Sequence, residues 1–373
     1  MTGKPRVLMV GRTRYRLPLS PPLRRKFDAL AEEVDVRVLA SGSARAGEDP
    51  RFVLVPPAKG LDGALFWAAL PARIAREVRR FRPDAILAQS PYEAAAAVAA
   101  LRLARVNARV LVDVHGDWRT STRLYGSSLR RVLGPAADRV ALAGLRRADT
   151  VRTISDYTTG LVRDAGVEPG DVFPAFMDLE SFLAPPRPLP ERRQALFIGV
   201  LELYKNVDGL ADAWRSAAPR VPAATLHFVG SGARTAVVVR LVAELPKQTR
   251  WTKELSTEEV AAALDDSTLL VLPSRSEGLG RVIVEALCRG RPVLAAAVGG
   301  IRDIVRDGEN GVLVPPGDTQ ALADALVRLL SDRAEAERLA ATARPSVEPW
   351  LATPEEYARR VRSLVDGTIE PSP

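Results

Sequence analysis

Short apolar runs alternate with longer amphipathic stretches along most of the chain. Residues 6–10 (RVLMV) predict a strand that opens at Gly11. Residues 23–33 carry apolar positions at helical spacing, and 34–39 predict a second strand. Residues 60–81 are helical in period and end at Pro83, which lacks a backbone donor. A strand at 85–88, an alanine-rich helix at 92–106 and a strand at 110–114 follow, the last delivering His115. Beyond Arg119 a long helical region runs to Arg147, and 150–155 read as a strand. Apolar strands separated by helices imply βαβ units and a parallel sheet covered on both faces.

Pro185, Pro186, Pro188 and Pro190 crowd into residues 183–193, a pattern that suits an extended linker. The alternation then restarts. Strands are expected at 195–199, 225–229, 268–273, 292–296 and 311–314. Helices are expected at 207–218, 257–264, 280–288 and 320–331, with one more at 354–365. The pattern predicts two doubly wound α/β domains, 1–186 and 187–350. Their cleft is the expected ligand site, and 351–373 are expected to pack back on the first domain. At about 150 residues per domain, 373 residues fit that division.

The sharpest local feature lies at 273–287, PSRSEGLGRVIVEAL. A buried-type strand leads into a glycine turn, and a helix starts near Gly280. Free amides at such a start bind anionic or hydroxyl-rich groups, and glycine permits close approach. Glu285 sits among Val282, Ile283, Val284, Ala286 and Leu287. A carboxylate on that helix is either solvated or turned inward, and a buried one needs polar partners. A ribose diol would supply two hydrogen bonds to a charged acceptor. Glu277 precedes it by eight residues, about 12 Å if all were helical, a spacing that suits two ends of one extended ligand.

These residues resemble the Glu-x7-Glu motif of glycosyltransferase family 4, retaining transferases of the two-domain GT-B fold. The likeness continues through Gly290-Arg-Pro-Val, Gly299-Gly-Ile, Asp307-Gly-Glu-Asn-Gly311 and Pro316-Gly-Asp318. It implies that Glu285 binds the nucleotide ribose and that Glu277 lies near the donor sugar. It also implies that Gly278, Leu279 and Gly280 present amides to sugar and diphosphate. Upstream, 197–208 (FIGVLELYKNVD) are similar to the family's diphosphate-binding strand and loop. There Gly199 ends the strand, and Lys205 would neutralise charge on the departing diphosphate. The family's usual arginine after the strand glycine is replaced by Val200, so half of the cationic clamp is missing. Arg275 and Arg281 are the nearest substitutes in sequence.

Residues 226–232 (LHFVGSG) mimic a dinucleotide fingerprint, but its last glycine position holds Thr235, so a Rossmann cofactor is not expected. His227 is read as a packed structural histidine. In the first half, Val112-Asp-Val-His115-Gly-Asp117 resembles the family's strand end with His-Gly, which places His115 beside the donor sugar. The family's glycine-rich loop after the first strand is here Gly11-Arg12-Thr-Arg14-Tyr-Arg16-Leu-Pro18. Its arginines suit a phosphate or polyanionic acceptor, and equally a solvated loop. The resemblance spans about residues 113–331; earlier residues share only the strand–helix rhythm.

Charge sharpens the asymmetry. Residues 1–190 hold 30 Lys and Arg against 20 Asp and Glu, a net of +10, which leaves 23 against 25, a net of −2, for the remainder. A one-sided positive field draws anionic partners, although only six of the cations are lysine, which is also an arginine-rich composition. The longest apolar run, 94–101, is far short of the roughly 20 residues of a membrane span. No secretory pattern opens the chain. A cytoplasmic address is expected, with peripheral contact with an anionic membrane face if the acceptor is lipid-linked. Cys288 is the one cysteine and the histidines are two, so neither a disulfide nor a zinc site is expected. No Asp-x-Asp follows a strand, so no metal and no cofactor are implied.

The resemblance implies transfer of a hexose-type sugar from a UDP- or GDP-linked donor to a glycan or lipid-linked acceptor, with retention. His115, Glu277 and Lys205 are the implied catalytic groups. Glu285, Gly278, Leu279, Gly280, Gly199 and Val200 line the donor, and Arg12, Arg14, Arg16 and Arg281 are acceptor or phosphate contacts. Two other readings stand: an inactive binding scaffold, favoured by Val200, and an epimerase or phosphorylase on the same plan. Aromatic residues make up 5% and do not interleave with the basic ones, which argues against a nucleic-acid partner.

Overall fold

The computed structural model describes residues 3–43, 49–56, 62–119 and 128–370. They form two compact units, Met1–Phe176 with Ala352–Pro373, and Met177–Leu351. Gly60, Leu61 and residues 120–127, the starts of two expected helices, lie outside the described residues.

The first unit opens with β1 (Arg6–Arg16), α1 (Pro21–Glu33), β2 (Asp35–Ser43), β3 (Phe52–Val55), α2 (Asp62–Phe81) and β4 (Ala85–Ala88). It continues with α3 (Pro91–Ala104), β5 (Arg109–Val114), α4 (Ser128–Arg147), β6 (Thr150–Thr153), α5 (Asp156–Asp164) and β7 (Asp171–Val172). Its sheet is parallel throughout, in the order β3-β2-β1-β4-β5-β6-β7. Period-two alternation sorts each strand between two cores. Leu8, Val10, Ile86, Val110 and Val112 pack under α2, α3 and α4. Val7, Met9, Leu87 and Leu111 face the other way, toward Phe27 and Leu30 of α1.

The second unit follows with β8 (Gln194–Ile198), α6 (Val207–Ala217), β9 (Thr225–Val229), α7 (Thr235–Glu244), β10 (Thr249–Thr252) and α8 (Thr257–Asp265). Then come β11 (Leu269–Leu272), α9 (Arg281–Cys288), β12 (Val293–Ala296), α10 (Ile301–Ile304), β13 (Gly311–Val314), α11 (Thr319–Ser331) and α12 (Arg333–Ala343). This sheet is also parallel, ordered β10-β9-β8-β11-β12-β13. Each unit therefore has its first strand where the strand order reverses, the favoured ligand position in such sheets. The last helix, α13 (Pro354–Ile369), opens with a capping box between Thr353 and Glu356 and belongs to the first unit. Its Tyr357, Ala358, Val361 and Val365 join the α1 core.

Two expectations change. The unit boundary lies at Phe176/Met177, and the proline-rich stretch belongs to the second unit. Prolines carry carbonyls but no amide donors, and arginines supply the missing partners. Arg291 donates to the carbonyls of Arg187 and Pro188, Arg289 to Ala184, and Arg333 to Leu189 and Pro190. Residues 11–16 are strand, not loop: after an irregularity between Val10 and Arg14, Arg14, Tyr15 and Arg16 pair with Ser41, Gly42 and Ser43. Tyr15 anchors this extension by edge contacts to Phe27 and Phe52, ring centroids 5.8 and 5.2 Å away.

Candidate nucleotide-sugar site

The second unit gathers most of the expected residues at the carboxyl ends of its strands. β8 turns at Gly199 (φ +157°) against the loop after β9. Gly199 N–H donates to Val229 O (3.0 Å), Leu201 N–H to Ser231 O (3.0 Å) and Arg234 N–H to Leu201 O (2.7 Å). The approach is so close that a Cβ on Gly230 (φ +136°) would lie 1.9 Å from Gly199 O. Only glycine fits there.

Beyond this joint a short 3-10 turn, Leu203–Lys205, ends at Asn206 in the left-handed region (φ +54°), and α6 begins. The turn directs Lys205 inward, leaving it 9% exposed. Its ammonium pairs with Glu277 Oε2, which also accepts from Ser274 Oγ at 3.3 Å. Arg275 ties the same two loops together, its N–H donating to Tyr204 O (2.7 Å) and its Nε to Asn206 Oδ1 (3.1 Å).

After Glu277 the chain crosses Gly278 and Leu279 to Gly280 (φ +84°), the residue before α9. A Cβ on Gly300 would lie 2.0 Å from Gly278 O, so this turn too is packed backbone to backbone. No side chain caps α9. A helix start without a side-chain cap keeps its amides and positive dipole end for another acceptor. Because Glu277 precedes the helix, the separation of the two glutamates is not a helical rise.

Glu285 is 8% exposed, with Ile283, Val284, Ala286 and Leu287 buried around it. Arg281 Nε donates to its Oε1 at 2.7 Å, and the same guanidinium reaches Asp178 O at 3.0 Å. Burial pushes the Glu285 carboxyl above the usual glutamate range, and Arg281 pulls the other way. Val200 is 48% exposed, so the departure from the expected family pattern leaves an apolar side chain at the surface. Of the two proposed replacements, Arg275 is committed to Asn206 and Arg281 to Glu285. Sequence reading did not single out Ser274, Asn206 or Asp178; only Asn206, a residue type tolerant of positive φ after a lysine, left a local signal.

The first unit holds the rest. Asp113 and His115 project from one face at the end of β5, and His115 Nε2 lies 3.1 Å from Asp113 Oδ2. Asp113 stands in register with Arg152 on β6, whose guanidinium binds its Oδ1. Arg12 and Arg14 sit on the β1 extension with Arg16. Arg12 N–H donates to Glu93 Oε1 (3.2 Å), and burial pushes that carboxyl up as well. His227 is 4% exposed, with Nε2 2.9 Å from Thr252 Oγ1; burial and the nearby Arg250 and Arg192 lower its pKa to about 4. It is a core group.

Comparison with known proteins agrees with this geometry. A family model described as "Glycosyl transferases group 1" matches residues 183–345, and one described as "Glycosyl transferase 4-like domain" matches 22–175. The chain is 28% identical over 299 residues to a sulfoquinovosyl transferase of Arabidopsis thaliana, covering 76% of this chain and 56% of that protein. It is 32% identical over 159 residues to the alpha-D-kanosaminyltransferase of Streptomyces kanamyceticus, 42% of this chain and 41% of that one. The chain thus spans about half the length of these curated relatives. Among solved structures, the sucrose-phosphate synthase of Thermosynechococcus elongatus superposes with a TM-score of 0.74 at 21% identity, over 97% of this chain and 98% of that one. Anabaena HepE in complex with UDP gives 0.70 at 18%, over 98% and 99%. Two parallel Rossmann-like sheets, the glycine turns and the paired glutamates converge with both family matches: the chain belongs to glycosyltransferase family 4 and has the GT-B fold.

Proposed function

We propose that the chain is a retaining, metal-independent glycosyltransferase that moves a hexose-type sugar from a UDP- or GDP-linked donor to a hydroxyl of a glycan or lipid-linked acceptor in cell-surface glycan, polysaccharide or glycolipid assembly. The observation that carries this reading is Glu285, a buried carboxylate with one cationic partner, on a helix whose start has no side-chain cap. A buried charge so placed is costly unless a ligand completes its hydrogen bonds. A ribose diol does so, and the amides at Gly278–Gly280 then meet the diphosphate. The second unit, with Gly199 and Val200 on its first loop, binds the donor. The first, with Arg12, Arg14 and Arg16, binds the acceptor.

In the reaction the bond from the anomeric carbon to the diphosphate oxygen breaks, and the acceptor oxygen bonds that carbon on the same face. The acceptor proton passes to the departing phosphate. Lys205 and the α9 dipole stabilise the charge on the leaving group, Glu277 holds sugar hydroxyls, and His115 contacts the sugar. The net positive charge of residues 1–190 supports contact of the first unit with an anionic membrane face when the acceptor is a lipid. HepE has been crystallised with UDP, which makes UDP the first nucleotide to test, with GDP and ADP beside it.

Thermal shift with these nucleotides tests the reading. The favoured nucleotide raises the melting temperature, and Glu285→Gln weakens its binding about tenfold or more, the loss of hydrogen bonds to a charged acceptor. The sign with pH follows from the raised carboxyl. Without ligand, the folded state binds more protons than the unfolded one, so stability falls as pH rises through the raised range. Nucleotide binding needs the ionised carboxylate and strengthens over the same rise. Equal binding by Glu285→Gln at every pH would remove the ribose assignment.

A further inference from the structure

One buried acid of the first unit is shared between the core and His115. Asp113 is 2% exposed, inside a strand whose neighbours Val112 and Val114 are core residues. A buried ion pair is commonly no better for stability than a well-packed apolar pair. Arg152, 1% exposed, is held through both terminal nitrogens: it binds Asp113 Oδ1, donates to Phe173 O (2.8 Å) and Pro174 O (2.7 Å), and lies 3.9 Å from the centre of the Phe173 ring. Tyr357 of α13 closes the cluster 5.7 Å from the guanidinium, and Lys26 of α1 lies 5.1 Å from that ring. Among the described residues, Asp113 Oδ2 meets His115 Nε2, on an imidazole whose side chain is 42% exposed.

We propose that Asp113, fixed by Arg152, is a positioning residue that holds His115 as the Nε2–H tautomer, so that Nδ1 is the atom accepting a hydrogen bond from a sugar or acceptor hydroxyl. The inference rests on the reading of His115 as a substrate contact. An ionised carboxylate only accepts, so Nε2 must donate to it and the neutral ring keeps its lone pair on Nδ1. Burial raises the Asp113 carboxyl, but the Arg152 charge and the hydrogen bonds from Arg152 and His115 outweigh it and hold it well below the ordinary aspartate range. The other titratable groups of the cluster act on the same balance. Burial lowers the Lys26 ammonium and lifts Tyr357 to about 12, and Tyr15 also interacts with Lys26.

The chain has only two histidines, so nitrogen-15 histidine labelling gives two imidazole patterns, and His227→Gln leaves that of His115 alone. The expected spectrum of the otherwise unaltered protein near neutral pH is one Nε2–H tautomer with a slowly exchanging proton. Asp113→Asn is expected to give a mixture of tautomers and faster exchange. It also lowers kcat for nucleotide release from UDP-glucose or a GDP-linked hexose about 10–100-fold, with little change in KM. Arg152→Lys, which keeps a cation opposite Asp113, retains most of the tautomer preference. An Nδ1–H tautomer before any change at Asp113 overturns the inference even if Asp113→Asn fails to fold. So does an unchanged spectrum in a folded Asp113→Asn. If the tautomer changes while turnover in Asp113→Asn and His115→Ala does not, positioning stands and the catalytic reading of His115 falls.

Discussion

The first strand of each unit occupies the same place in its sheet, where the strand order reverses, yet the chain leaves it differently in the two units. β8 ends at once in Gly199, and the loop after it is stitched to the loop after β9 before delivering Lys205. β1 instead continues to Arg16, pairing with β2, while Thr13 Oγ1 donates to Gln89 Oε1 at 2.8 Å. Glycine and a buried lysine make a cradle suited to a diphosphate. A strand bearing Arg12, Arg14 and Arg16 pairs with β2 again from Arg14 and gives the Arg12 amide to Glu93, so its exposed arginines present side chains. One architecture thus yields two different strand ends, and the residues after the first strand make the difference.

The strongest way to break this contrast is to remove the cation that β8 delivers. Lys205→Ala is expected to lower the rate of nucleotide release about 10²–10³-fold, the scale found for deleting one preorganised charge-stabilising group. It also leaves Glu277 largely buried without its ion-pair partner, so rates must be normalised to the folded fraction from a melt at the same pH. A second variant, Lys205→Arg, retains the charge and separates electrostatics from packing. Wild-type rates in Lys205→Ala would end the assignment of the diphosphate to this loop.

The next largest effect is on stability and tests the joint itself. Gly230→Ala places a Cβ 1.9 Å from a backbone oxygen at a positive φ, so both the contact and the dihedral are strained. A loss of about 3 kcal/mol is expected, or roughly 6–12 °C in the melting of the second unit. Calorimetry reads it directly. Gly308→Ala, also at positive φ but with open space around it, should cost less.

These positions also show what a sequence discloses. The glycine turns and both glutamates were legible because their chemistry is local: a positive φ, a helix start and a carboxylate among aliphatic residues all lie within one short segment. The β1 extension was not, because its partners, Ser41–Ser43, are distant in sequence and arginines with threonine read as a loop. Residues 52–55 form β3 from an apolar run of four residues, too short to distinguish a strand by its period alone. The proline-rich stretch misled for a related reason. Its composition says linker, while the arginines that bind its carbonyls lie about a hundred residues further on. Asp113 was visible as an acid between valines, but nothing near it announced Arg152.

The smallest expected effect sharpens the comparison most narrowly. Arg14 and Arg16 are exposed on the β1 extension, so replacing either by alanine should change stability by no more than about 0.5 kcal/mol. If the diphosphate belongs to the second unit, the nucleotide-induced thermal shift of Arg14→Ala, Arg16→Ala and the double variant matches that of the parent chain. The change appears only in transfer to an anionic acceptor, as a few-fold rise in its KM that fades as salt screens the arginines. A reduced nucleotide shift in either variant would mean that β1 also grips the donor phosphates, and the division of labour between the two first strands would not hold.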